Sequence, residues 1–177
     1  MAYSLVSTSV LLVLSLSMAT TESEGQVRAR NTPVAVLQWL QRTGCRVHQP
    51  AQGPLDDRPP PRGLISGRFR SRAQEDWAVL CAARDSALLL IFPGGRADTI
   101  DTVAVGAAPT EPTRRIYAAP PSEVRMYVRS LPSLPGQDVE PADTVWMTHD
   151  GIVDAVDCCG VVWYWHAGRW RQLPGPD

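Results

Sequence analysis

In "MTHDGIVD", His149 stands directly before Asp150, and a histidine oriented by a carboxylate is the usual acid/base partner in hydrolysis. The other histidines, His48 and His166, are distant in sequence. There is no HExxH, GxSxG or glycine-rich phosphate loop, so a catalytic group would have to be assembled by the fold. The plainer role for His149 is to stabilise a turn. A second chemistry lies in "VVWYWHAGRW", where Trp163 and Trp165 share one face of a strand and Trp170 lies across the turn from them. Three indoles so placed suit either a flat platform for a sugar ring or a core face packed on a helix, and exposure decides between the two.

The stretch "GRFRSRAQEDWAVL", Gly67 to Leu80, has the layout of a calcium loop with the wrong side chains. Such a loop needs six to eight oxygen ligands at alternate positions. Arg68, Arg70 and Arg72 stand there instead, and guanidinium groups repel a cation. The expectation is a loop without metal, its arginines fanned toward Glu75, Asp85 or the carboxylates of a partner.

The four cysteines carry redox chemistry rather than metal ligation, since no CxxC spacing occurs. A Cys45–Cys81 disulfide would tie the end of a helix to a strand across a proline-rich loop. Cys158 and Cys159 are adjacent and are expected as thiols on opposite faces of a strand, because a ring closed by neighbouring cysteines is strained.

These residues must be positioned by short elements. "TPVAVLQWLQRTGC" predicts a helix with Thr32 as cap, Pro33 in the first turn, Val36, Leu37 and Leu40 on the apolar side, Trp39 at its flank and Gly44 as the stop. "GLISGRF", "DWAVLCAA", "SALLLIFP" and "TIDTVAV" read as strands. "PPSEVRMYVRSL" predicts a second short helix with Val124, Tyr127 and Val128 on one side. Two proline-rich connections, Pro50 to Gly63 and Pro132 to Asp143, can join neither a helix nor a sheet interior. "VVWYWHAGRWRQL" predicts a hairpin turning at Ala167 and Gly168.

At the N-terminus, Val10 to Leu16 form an apolar run shorter than the ~20 residues of a membrane span, and Ser17, Met18 and Ala19 follow it. The expectation is a signal peptide over 1–19, a flexible polar segment over 20–31 and one globular domain over 32–177, in a secreted or periplasmic protein with no stable membrane insertion after cleavage. With 177 residues, 44% hydrophobic, the chain can bury a real core. Its formal net charge of −1 gives no field for gathering nucleic acid. All 17 basic residues are arginine, which a GC-rich coding bias explains most simply.

"GRFRSRAQEDWAV" resembles an FG-GAP or VCBS-type repeat, with Gly67 and Phe69 on the glycine and apolar positions and Asp76 on the closing acid. "THDGIVDAVDCCGVVWYW" is similar, with Asp150 as late acid, Gly151 as turn glycine and Asp154 as closing acid. The resemblance implies two degenerate copies in which Asp76 and Asp154 are equivalent structural loop acids that accept backbone N–H groups. The arrangement of the whole chain is also similar to a group of uncharacterised exported bacterial proteins.

The expected fold class is therefore α+β: a small antiparallel sheet of two FG-GAP-like half-blades covered by two short helices. The expected role is an extracytoplasmic binding or structural module, without cofactor or metal, whose partner is a protein or a glycan. The alternatives are a carbohydrate-binding surface on Trp163, Trp165 and Trp170, and a hydrolase using His149 and Asp150.

Overall fold

A computed structural model describes residues 31–49, 63–83, 86–107, 114–130, 147–156 and 159–175. The chain divides into Met1–Asn31 and Thr32–Asp177, and the second unit holds every described residue except Asn31. The expected signal peptide over 1–19, the proline-rich stretches 50–62 and 131–146, Asp85 and Cys158 lie outside the described residues.

The fold is α+β, with two helices and two antiparallel sheets. The first sheet contains β1 (Arg46–Val47), β2 (Leu64–Gly67), β3 (Asp76–Ala83), β4 (Ser86–Phe92) and β5 (Asp101–Ala107). Both β1 and β2 lie on the same edge of β3: the His48 amide donates to the Leu80 carbonyl at 2.9 Å, and the Leu80 amide to the Gly63 carbonyl at 2.7 Å. The second sheet runs β6 (Arg115–Ala119), β7 (Gly151–Val156), β8 (Cys159–His166) and β9 (Arg169–Pro174), each strand paired with the next.

Alternation along the strands explains the layering. In β3, Ala78 and Leu80 face one way while Trp77, Val79 and Cys81 face the other, and all five are buried. A strand apolar on both faces must be covered on both. One face of the first sheet packs, through Ile65, Phe69, Leu80, Leu89 and Ile91, against Ile116 and Ile152 of the second sheet. Its other face is covered by α1 (Val34–Thr43), which inserts Val36 and Leu40 beside Val79, Leu90 and Phe92. The second sheet is built the same way: Val153, Val162, Tyr164 and Leu173 pack on Val124 and Val128 of α2 (Pro121–Ser130). The order of layers is helix, sheet, sheet, helix.

Local signals set the helix ends. Gly44 adopts the left-handed conformation that stops α1, with φ 66°. Pro33 takes the N-cap position, so the helix begins one residue later than the sequence suggests, and Thr32 provides no cap. Leu37 is also corrected: the buried seam runs through Val36 and Leu40, and Leu37 falls off it into solvent. In α2 the Pro120 carbonyl accepts the Glu123 and Val124 amides, and Glu123 lies in the first turn, where the helix dipole favours an acid.

The Cys45–Cys81 disulfide joins the chain just after α1 to the middle of β3, across 36 positions of sequence. The hairpin turns at Ala167 and Gly168, both with positive φ. Two strands, β1 and β6, are absent from the sequence reading. The first has only two residues, and "RIYAA" in the second buries Ile116 and Ala119, a spacing that does not alternate.

Candidate functional site

The loop Arg68 to Glu75, between β2 and β3, crosses from the first sheet to the second. Gly67 begins it because Phe69 folds back into the core: a Cβ there would lie 2.6 Å from the Phe69 ring. The Arg68 amide donates to Asp150 Oδ2 at 3.0 Å, and the Asp150 amide returns a bond to the Arg68 carbonyl at 2.8 Å. Arg72 Nε donates to the Thr148 carbonyl at 2.9 Å. The arginine loop is thus a clasp onto the segment that leads into β7.

Arg70 has a different setting. Its guanidinium lies over the Trp165 ring, 4.2 Å from the centroid, and its Nη1 is 3.7 Å from Asp101 Oδ2. Asp101 is held in turn by the Trp170 indole N–H at 3.0 Å, and Trp170 meets Trp165 edge-on at a centroid distance of 5.6 Å. Arg70, Asp101, Trp170 and Trp165 form a closed circuit that joins β5 to β8 and β9. The arginines therefore point to Asp101, Thr148 and Trp165 rather than to Glu75.

Beside this circuit lies a groove of about 390 Å³ lined by Arg70, Ser71, Gln74, Pro93, Arg96, Thr99 and Trp165. The backbone at Arg70 and Gly94 and the side chain of Gln74 are held by Asp76, which is fully buried. Asp76 accepts the Arg70 amide at 2.9 Å, the Gly94 amide at 2.9 Å and Gln74 Nε2 at 2.6 Å. Gly94 and Gly95 both have positive φ, the backbone needed for the turn after Pro93 to present an amide to that carboxylate. Arg96 and Asp98 form a fully exposed pair at the rim. This pair holds the Asp98 carboxyl down at about 2, first through the Arg96 hydrogen bond, and raises Arg96 through the same bond.

The residues singled out in the sequence are distributed as follows. The His149 ring meets the Asp150 carbonyl at 3.3 Å, while the Asp150 carboxylate is taken by the Arg68 amide. The Asp150 carboxylate is spent on the clasp where the sheets meet and does not orient the His149 ring as the alternative acid/base reading requires. Asp154 is not a loop residue: it lies within β7, on the face toward the first sheet, 6% exposed, and receives Arg114 through both oxygens at 3.0 and 2.8 Å. Asp150, immediately before β7, holds the place that Asp76 holds at the head of β3. Trp163 and Trp170 are half-buried against the core between the sheets, and the rings of Trp165 and Trp170 stand at 70°. Rings so inclined do not make one flat platform; of the three indoles, only Trp165 lines the groove.

Sequence reasoning missed the groove as a unit. Ser71, Gln74, Arg96 and Thr99 carry no motif, and Arg70 and Trp165 are joined only by the packing of one sheet on the other. The turn "PGGRAD" was the available signal. Among the described residues, no group of three or more His, Cys, Asp or Glu could hold a metal ion, and no helix is long and apolar enough to cross a membrane. No protein-family profile, curated protein or solved structure matches the chain.

Proposed function

We propose that this protein is an extracytoplasmic binding module that performs no chemistry of its own, and that the groove beside Arg70 and Trp165 is its ligand-contacting face. The observation that carries this reading is the state of Arg70. Its side chain is 31% exposed, fixed by stacking and by a carboxylate beyond hydrogen-bond distance, and makes no hydrogen bond among the described residues through its guanidinium. A rigid guanidinium with unspent donors at the wall of a groove is what a binding site requires.

Export is supported by the Cys45–Cys81 disulfide, a bond that persists in oxidising compartments, together with the apolar run and Ala19 at the N-terminus. Two successive antiparallel meanders, each with an aspartate at the head of its second long strand, are consistent with descent from a pair of FG-GAP-like repeats. The hydrolase reading has no comparable support, since the Asp150 carboxylate does not orient His149.

An NMR titration of the 15N-labelled protein with neutral oligosaccharides, acidic oligosaccharides and short peptides tests the proposal. Saturable shifts of the Trp165 indole, lost in Arg70→Ala, are expected. Turnover of ester or glycoside substrates that is abolished by His149→Ala, with the Trp165 signal unmoved, would overturn it.

A further inference from the structure

Resting on that reading, we infer that the groove takes a carboxylated sugar ring, a uronic-acid unit, with Arg70 as the partner of its carboxylate. The geometry matches part by part. A planar guanidinium binds a carboxylate through two parallel N–H bonds, and Arg70 enters the groove with its donors uncommitted. Ser71, next in the chain, has a hydroxyl that bonds no described residue and lines the same groove. Gln74 spends its amide N–H on Asp76 and keeps its carbonyl oxygen as an acceptor. Thr99, whose hydroxyl donates to Asp98 Oδ1 at 3.1 Å, keeps an acceptor at the rim, and the half-buried Trp165 ring supplies apolar surface for the C–H side of a pyranose, while Pro93 in the lining is itself buried.

The volume lies within the ~300–1,000 Å³ range of small-ligand sites. The lining is mostly polar and holds no deep apolar recess, which suits a hydroxylated ring better than a peptide side chain. Asp101 leaves the Arg70 N–H groups available to the ligand, although its charge opposes a second carboxylate nearby. At 3.7 Å it steadies the guanidinium electrostatically without consuming an N–H, and its hydrogen bond goes to Trp170 instead. Arg96 already shares its charge with Asp98 and plays the smaller part.

The test is calorimetric titration with trigalacturonate and with its carboxyl-reduced analogue, followed by NMR to locate binding. Trigalacturonate should bind saturably and shift the Trp165 indole, and the reduced analogue should bind at least about tenfold more weakly. Arg70→Ala should weaken binding about 10- to 100-fold, the usual worth of a charged hydrogen bond pair. Arg70→Lys, which keeps charge but loses the planar fork, should recover only a minor part of that loss. Arg96→Ala should cost less than about threefold, as an already paired and exposed charge. Cooperative melting of each variant keeps the comparison clean; if Arg70→Ala fails to fold, Ser71→Ala and the reduced ligand carry the test.

Equal binding of the two trisaccharides at Trp165 would overturn the carboxylate assignment and leave the binding module standing. Binding of sodium acetate or of a peptide C-terminus as tight as that of trigalacturonate would overturn the sugar assignment. No binding of either trisaccharide would overturn this inference, while the broader panel decides the module itself.

Discussion

The two halves of the fold have the same plan and are held by different chemistry. Each is an antiparallel sheet, of five strands in the first half and four in the second, with a helix on its outer face, and each buries an aspartate, Asp76 on β3 and Asp154 on β7. In the first half Asp76 is satisfied by two backbone amides and one side-chain amide, and α1 is locked to β3 by a disulfide. In the second half Asp154 is neutralised by Arg114, and α2 is held by side-chain packing and by Arg125 donating to the Met147 carbonyl at 2.6 Å. Neutral donors shape a loop and leave the carboxylate its charge. A guanidinium cancels the charge, at the cost of burying a second ion.

That difference ranks the expected effects. Asp154→Ala should be the most damaging, because it strips Arg114, 14% exposed, of that carboxylate; a loss of about 3–5 kcal/mol is expected in urea unfolding. Replacing the pair together, as Arg114→Met with Asp154→Leu, should cost much less than the sum of the single changes. Additive losses would show that the two charges do not act as a pair.

Cys45→Ser should remove about 2–4 kcal/mol, the typical worth of a disulfide closing a loop of this size. Hydrogen exchange should quicken in α1 and stay unchanged in α2. Equal quickening in both helices would mean that the halves do not keep separate anchors.

Asp76→Asn should cost less, about 1–3 kcal/mol, since its shape and one acceptor survive while an amide N–H turns toward an existing donor. Its local signature should be lost protection at the Arg70 and Gly94 amides, with Arg114 unaffected.

The smallest effect is the pH dependence. Burial lowers the pKa of His48, with a smaller opposing push from the Arg114 carbonyl and a further lowering from the Arg114 charge. A histidine with a depressed folded pKa binds fewer protons than in the unfolded chain, so its stability contribution is complete above about 6.5 and is lost as pH falls through the folded value. Melting temperature should therefore decline below about pH 6.5, and His48→Gln should flatten that limb. The Asp98 carboxyl, held at about 2, contributes above its ordinary value of 3.8 and loses that contribution as pH falls toward 2. Asp98→Asn should alter only this lowest limb of the melting curve.

What could be read from the chain follows the range over which each signal acts. "DWAVLCAA", "SALLLIFP" and the Ala167–Gly168 turn are local patterns, and they appear as β3, β4 and the β8–β9 hairpin. Cys45 and Cys81 were legible because a disulfide needs only two cysteines and a compartment. Arg114 and Asp154 are 40 positions apart, and Arg70 reaches Trp165 only after one sheet has packed on the other. No periodicity encodes such pairs. The same holds for the division of the strands into two sheets, since the break falls after Ala107, where "RIYAA" gives no alternation to announce β6.

The shared core between the sheets has a consequence for biosynthesis. The first sheet is complete in sequence at Ala107, yet Ile152 and Trp163, which cover it, follow much later, and the second sheet ends only at Pro174. Roughly 70 residues at about 5–20 residues per second give a delay on the order of ten seconds. For that interval the nascent chain presents Phe69, Leu80, Leu89 and Ile91 as a bare apolar sheet, the kind of surface that chaperones bind and aggregates recruit.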